Sequence, residues 1–213
     1  FRVGDFFETF EDDAKTASKV LGITLTKRSN GAAGDVPLAG FPHHAIDTYL
    51  PKLVRAGYRV AVCEQMEDPK LAKGIVKREV IEVVTPGVAL SDKILDHKKN
   101  NYLLSVYLEE NTAGISFCDI STAEFFAYEC SILEVQQQIE FVNPSEIIVC
   151  KNQKTEIEQI LKKLNREIRI TRLDDWIYAY DYSREILINH FKTVNLKGFG
   201  IDYFHSGIIA AGS

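Results

Sequence analysis

The sequence predicts an α/β protein of two successive units. Three observations carry this. Helical stripes of apolar residues alternate with short valine- and isoleucine-rich runs along the first 86 residues. A Pro86-Gly87 break then closes that pattern. Beyond it, three strand signals follow one another without an intervening helix, and helix and strand alternate afterwards.

Each element has its own warrant. FRVGDFFETF reads as an extended segment whose side chains alternate between two faces. Phe1, Val3, Asp5 and Phe7 form one mostly apolar set. Arg2, Gly4, Phe6 and Glu8 form the other, odd company for a buried ring. Phe7 is therefore expected to pack inward and Phe6 to be presented outward. Phe10, Ala14, Ala17 and Leu21 then fall at helical spacing before a cap at Gly22. ITLTKR (23–28) alternates as a strand, SNGAAGD (29–35) reads as a loop, and VPLAGFP as a short extended piece. Ile46, Tyr49, Leu50, Leu53 and Val54 make a helical stripe that Pro51 should bend or break. YRVAVCEQ (58–65) and REVIEVVTP (78–86) read as buried strands.

SDKILDHKKNN (91–101) reads as a connecting helix or turn with Ser91 as a possible cap. In the second unit, strands are expected at 102–108, 113–121 and 123–129. A helix over 132–142, a strand at 146–150, a helix over 155–164, a strand at 166–173 and a helix over 182–192 follow. That order fits a ribonuclease H-like sheet covered by helices. The expected boundaries are a first domain at 1–87, a linker at 88–101 and a second domain at 102–213. The start at Phe1 inside an apolar pattern, and the stop within the small-residue stretch GIIAAGS, predict an excised piece of a longer chain.

Composition limits the function. Hydrophobic residues make up 46% and charged residues 26%, ordinary for a globular protein. No apolar run approaches a membrane span and no signal peptide is visible. Cys63, Cys118, Cys130 and Cys150 form no CxxC pair and read as reduced thiols of a cytoplasmic protein. Residues 1–90 hold 12 Lys and Arg against 12 Asp and Glu, and residues 91–213 hold 13 against 18, which gives the net −5. An acidic balance argues against indiscriminate nucleic-acid binding without excluding a locally basic surface.

A ribonuclease H-like order invites a metal-dependent nuclease, which needs carboxylates converging from the first strand. YLLSVYL offers none before Glu109-Glu110, and Asp119 on the next strand reads as a turn acceptor. Asp174-Asp175 reads as a loop start or helix cap, and His43-His44 lacks the spacing of a helical zinc pair. No GxxxxGK[ST] is present and no serine or cysteine has an activating neighbourhood. The residues thus predict neither a catalytic nor a metal site. What remains is the Phe6 face together with the basic residues Lys27, Arg28, Lys73, Lys77 and Arg78.

FRVGDFFETFEDDA resembles the GDFYE-type opening of the MutS family of bacterial DNA mismatch-repair proteins. The likeness continues in order through LTKR, PLAGFPHHAIDTYLPKLVRAGYRVAVCEQMEDP, KREVIEVVTPG, CDISTAEF and LKGFGI. It implies a mixed-sheet mismatch-recognition domain followed by a ribonuclease H-like connector domain. It further implies that Phe6 enters the minor groove and stacks on a mispaired base, and that Glu8 hydrogen-bonds the same base. Gly4 would let the backbone approach DNA, Arg28 and Arg78 would lie near phosphates, and Lys27 and Lys77 would assist. Phe7 stands where many relatives carry tyrosine, and Val3 where methionine is common. Mismatched double-stranded DNA, MutL and a second copy in a homodimer are the implied partners. No cofactor is implied for these 213 residues; ATP and Mg2+ belong to a domain outside them. Two alternatives stay open: a ribonuclease H-like nuclease, and a relative that binds branched DNA, against which Phe6 and Glu8 argue.

Overall fold

A computed structural model of the chain describes residues 1–29, 34–67, 72, 74–88 and 100–213. The middle of the predicted 29–35 loop, Lys73, and most of the predicted linker with its Ser91 cap lie outside those residues. The chain divides into two compact units, Phe1–Asp96 and His97–Ser213.

The first unit is built on an antiparallel sheet in the order β1-β2-β4-β3. Its strands are β1 (Arg2–Val3), β2 (Phe6–Phe10), β3 (Thr26–Ser29) and β4 (Asp35–Pro42). Helix α1 (Glu11–Leu21) follows β2 directly and buries Ala14, Ala17 and Leu21, as the apolar spacing requires. It ends at Gly22, whose left-handed backbone lets its N–H donate to the Ser18 carbonyl at 3.0 Å. Helix α2 (Ile46–Arg55) completes the cover. The core gathers Phe7, Ala17, Leu21, Phe41, Leu53 and Val62. A separate antiparallel ribbon joins β5 (Val60–Gln65) to β6 (Arg78–Val84), with a bulge between Val62 and Cys63.

Three expectations change here. The opening segment is not one extended strand: it turns at Gly4-Asp5, pairing Arg2 with Phe7 and Val3 with Phe6. Of the bend or break expected at Pro51, the break does not occur, and helix α2 runs on through it. The proline ring is buried, and that packing offsets the donor it cannot supply. Finally, β6 is not a buried strand, because among the described residues it pairs only with β5 in a two-stranded sheet; Val80, Ile81 and Val83 are exposed and Val84 alone is buried. An apolar run by itself does not tell a covered strand from an edge.

The second unit has the ribonuclease H-like order β11-β10-β7-β8-β9. Strands β7 (Leu103–Leu108), β8 (Thr112–Asp119) and β9 (Glu124–Ser131) form an antiparallel meander. Strands β10 (Glu146–Cys150) and β11 (Arg169–Leu173) add in parallel beside β7. Parallel pairing requires crossovers, supplied by α3 (Val135–Val142) and α4 (Lys154–Lys163). A capping box at Ser131 and Glu134 starts the turn that leads into α3. Leu104, Ile115, Ile139, Ile147, Val149 and Ile157 fill the core, all fully buried. Helices α5 (Tyr180–Phe191) and α6 (His205–Gly212) complete the unit, and α6 buries Ser206, Gly207, Ile208 and Ile209.

Asp119, at the end of β8, is 1% exposed and fully engaged. Its Oδ1 accepts from Ser121 Oγ at 2.6 Å and Ser121 N–H at 2.9 Å; its Oδ2 accepts from Asn101 N–H at 2.8 Å. Burial pushes this carboxyl's pKa up, but the Ser121, Asn101 and Thr122 hydrogen bonds together outweigh burial, and the pKa falls below its usual value. A lowered folded-state pKa adds stability that is present above the unfolded value and lost as pH falls through the folded one. Asp119→Asn should therefore cost roughly 1.5–3 kcal/mol at pH 7. In urea melts, the gap between variant and parent should narrow below about pH 4. A gap that stays constant with pH would contradict this role.

Candidate nucleic-acid interface

The β1–β2 hairpin has a two-residue loop, Gly4-Asp5. Gly4 sits at φ +57°, a left-handed backbone that a two-residue hairpin demands and a side chain disfavours. The turn alone accounts for this glycine. Because the turn reverses the chain, Arg2 shares a side with Phe7 and Val3 shares one with Phe6, against the simple alternation expected from the sequence. Arg2 indeed lies 5.9 Å from the Phe7 ring centroid. Within β2 the alternation holds: Phe7 is 8% exposed and Phe6 is 47% exposed.

The turn is braced from three sides. The His43 backbone N–H donates to the Asp5 carbonyl at 2.9 Å, and His43 Nδ1 lies 3.2 Å from the same oxygen. Arg78 Nε donates to the Arg2 carbonyl at 2.7 Å and its Nη1 to the Val76 carbonyl at 3.0 Å. Gln65, oriented with its amide oxygen toward the turn, accepts from Gly4 N–H at 3.3 Å and from Arg78 Nη2 at 3.2 Å. Register explains the meeting, since Gln65 and Arg78 are cross-strand partners in the ribbon. Arg78 is thus a brace for β1. His43 and Gln65 had no sequence signal that pointed to this role.

Strand pairing sorts the remaining residues by face. Phe6 pairs with Pro42, Glu8 with Gly40 and Arg28 with Val36, so Phe6, Glu8 and Arg28 stand on one side of the sheet. Lys27 pairs with Pro37 and stands on the other, where it lies 3.9 Å from Asp35. Lys77 is outside this sheet and pairs with Glu79 at 2.6 Å, a hydrogen bond that raises the lysine's pKa. The structure therefore brings together Phe6, Glu8 and Arg28, with Gly4 and Arg78 in the turn and its brace. It does not bring Lys27 onto that face.

Glu8 is the electrostatic centre of the face. Its side chain is 17% exposed, and Oε2 is buried without a hydrogen-bond donor. Arg28 Nη1 approaches that oxygen to 3.5 Å, an ion pair without a hydrogen bond. A buried carboxylate oxygen with an open acceptor position is costly unless something donates to it. Room for this side chain comes from Gly40: a Cβ there would lie 2.8 Å from the Phe7 carbonyl and 3.3 Å from Glu8 Cγ. The sequence did carry a hint of Gly40, as a glycine inside an otherwise apolar strand marks a close approach.

The other candidates are placed elsewhere. The Asp119 carboxylate is taken up by its turn, and β7 carries no carboxylate. Asp174 occupies the N-cap position of a 3-10 turn without a side-chain cap, and Asp175 Oδ1 accepts from Cys150 Sγ at 3.2 Å. Among the described residues no group of three or more His, Cys, Asp or Glu is gathered as metal ligands. None of their helices is long and apolar enough to cross a membrane. All four cysteines are free thiols.

Residues 1–93 match the family description MutS domain I, and residues 101–213 match MutS domain II. The chain is 52% identical over 213 residues to the DNA mismatch repair protein MutS of Cytophaga hutchinsonii, covering all of this chain and 24% of that protein. The proteins of the same name from Flavobacterium psychrophilum and Chlorobaculum parvum are each 52% identical, over 213 and 217 residues, with the same coverage. The chain spans about a quarter of the length of these relatives.

The two phenylalanines should separate cleanly in urea denaturation. Phe7→Ala should cost about 3–5 kcal/mol and Phe6→Ala less than about 0.5 kcal/mol. Gly40→Ala should cost about 1–3 kcal/mol by crowding the strand beside Glu8. Similar losses for both phenylalanines would contradict the assignment of faces.

Proposed function

The chain belongs to the MutS family, and from that premise we propose that its first unit senses mismatched duplex DNA by pushing the Phe6 ring into the minor groove. The observation that carries the reading is an exposed aromatic ring on a strand whose neighbouring ring is core, at the foot of a braced turn. An apolar wedge partly unstacks a base step and kinks the duplex, at a cost of a few kcal/mol. A mispair has already lost pairing and stacking, so the same deformation costs less there. Discrimination then comes from deformability rather than from a base code. A ring suits the task because every base has a π-face, and stacking contributes about 1–3 kcal/mol with little preference.

Glu8 supplies the second element. Its open acceptor position, beside Phe6 on the same face, suits a hydrogen bond from a ring N–H of the displaced base. On matched duplex no base is displaced, and the carboxylate is repelled by phosphates. Arg28, half exposed at the rim of this face, is placed to leave Glu8 for a phosphate as the base arrives. Arg78 supports the site chiefly through the turn. Lys77 would meet the backbone from beside the face, Lys27 only by reaching round the β3 edge from the far side of the sheet, and Gly4 would let the hairpin tip come close.

The second unit acts in this reading as the connector, carrying the state of the DNA to other parts of a longer protein and offering a surface to MutL. ATP hydrolysis with Mg2+, and the homodimer in which one copy supplies the wedge, belong to segments outside these residues. The sequence has no GxxxxGK[ST] loop, so these residues do not cradle a nucleotide triphosphate by that route.

In the full-length protein, Phe6→Ala should abolish a preference of tenfold or more for a G·T heteroduplex over its matched counterpart, measured by fluorescence anisotropy. Glu8→Ala should bind matched duplex at least as tightly as the parent while losing discrimination. An unchanged preference in Phe6→Ala would defeat the reading.

A further inference from the structure

The second unit carries a charge asymmetry that the wedge does not use. Residues 151–172 hold seven Lys and Arg against three Glu, while the rest of residues 101–213 holds three against 13 Asp and Glu. The basic stretch is α4 with the following strand β11, which is an edge of the sheet. Between them runs an open groove of about 520 Å³, lined by Lys154, Lys162, Arg166 and Arg169 together with Glu158 and Glu167.

Glu158 does not neutralise the groove. It holds Lys154 at 2.8 Å, and that hydrogen bond is the chief reason its pKa is lowered, with Lys162 and Arg172 adding to the effect. One carboxylate thus serves three cations. Arg166 donates to Asn143, a neutral partner. Arg169 lines the groove with its Nε–H buried and without a hydrogen-bond partner. A strongly acidic unit that concentrates its cations along one groove builds a local positive field against its own background.

We propose that this α4–β11 groove is a second DNA contact, holding the phosphate backbone of duplex DNA without regard to mismatch. Two guanidinium groups in the groove give planar donors matched to phosphate oxygens, and the lysines add point charge. Such contacts position a duplex and add affinity without adding sequence information. The site is independent of Phe6: it lies in the other unit and requires no unstacked base.

The test uses the 213-residue chain in a Phe6→Ala background, so that failure of the wedge leaves the contrast intact. Binding of a labelled 30-bp matched duplex is followed by fluorescence anisotropy at about 50–200 mM salt. The groove variant is Lys162→Gln, Arg166→Gln and Arg169→Gln. The control is Arg184→Gln, Lys192→Gln and Lys197→Gln, which removes the same charge from elsewhere in the unit. The groove variant should weaken binding about tenfold or more and lower the salt slope by about two to three, while the control changes affinity less than about twofold. Circular dichroism melts confirm that both variants fold. Equal losses in the two variants, no loss in the groove variant, or no binding of duplex by the parent would each overturn the proposal. So would poly-glutamate binding that the groove variant abolishes while duplex binding is unchanged, since the groove would then serve an acidic protein partner.

Discussion

The tip of the β1–β2 hairpin owes its shape to backbone hydrogen bonds made from outside it. Two carbonyls, of Arg2 and Asp5, accept from Arg78 and His43, and the Gly4 N–H donates to Gln65. A two-stranded hairpin this short has little stability of its own. Fixed in this way, it sets where β2 begins, and β2's alternation then decides the direction of every side chain that follows. Phe7 goes into the core, and Phe6 and Glu8 go to the other side. In the proposed reading, a ring that enters a groove and holds a kink needs a support that does not yield, and the paired strand and its braced turn would supply it. The electrostatics depend on the same registration, because Glu8 meets Arg28 only through the pairing of β2 and β3 with β4.

Much of the fold was legible because its elements obey simple periods. The spacing of Ala14, Ala17 and Leu21, with Gly22 behind them, located α1 closely. The meander and the alternating helices and strands after it were equally plain in the sequence. Period alone failed where a single residue overrides it. Gly4 turned a continuous strand into a hairpin and moved Arg2 to the side of Phe7. Pro51 was tolerated because its ring packs, which a local rule does not foresee. The apolar run of β6 lies open because its sheet has only two strands, a fact of topology rather than of composition.

The site was legible in part for the same reasons. Adjacent phenylalanines in a strand must point apart, and Glu8 shows which one faces out, whereas Arg2 lies on the side of Phe7 and Gly4 in the turn. The face of Lys27 follows from its partner in β4, and strand register is not written in either strand alone. The brace was invisible because it joins residues 2, 4, 5, 43, 65 and 78, and only the folded chain brings them together. Arg78, expected beside phosphates, is a brace for the turn in the structure.

The central claim is that the Phe6 ring itself meets the mispair. A 4-fluorophenylalanine at position 6 of the full-length protein reports this through its 19F resonance. The account predicts a shift on adding a G·T heteroduplex, from the ring currents of stacked bases, and a much smaller one on adding the matched duplex at equal saturation. Equal shifts with both duplexes, or an unmoved signal when the heteroduplex is bound, would contradict it.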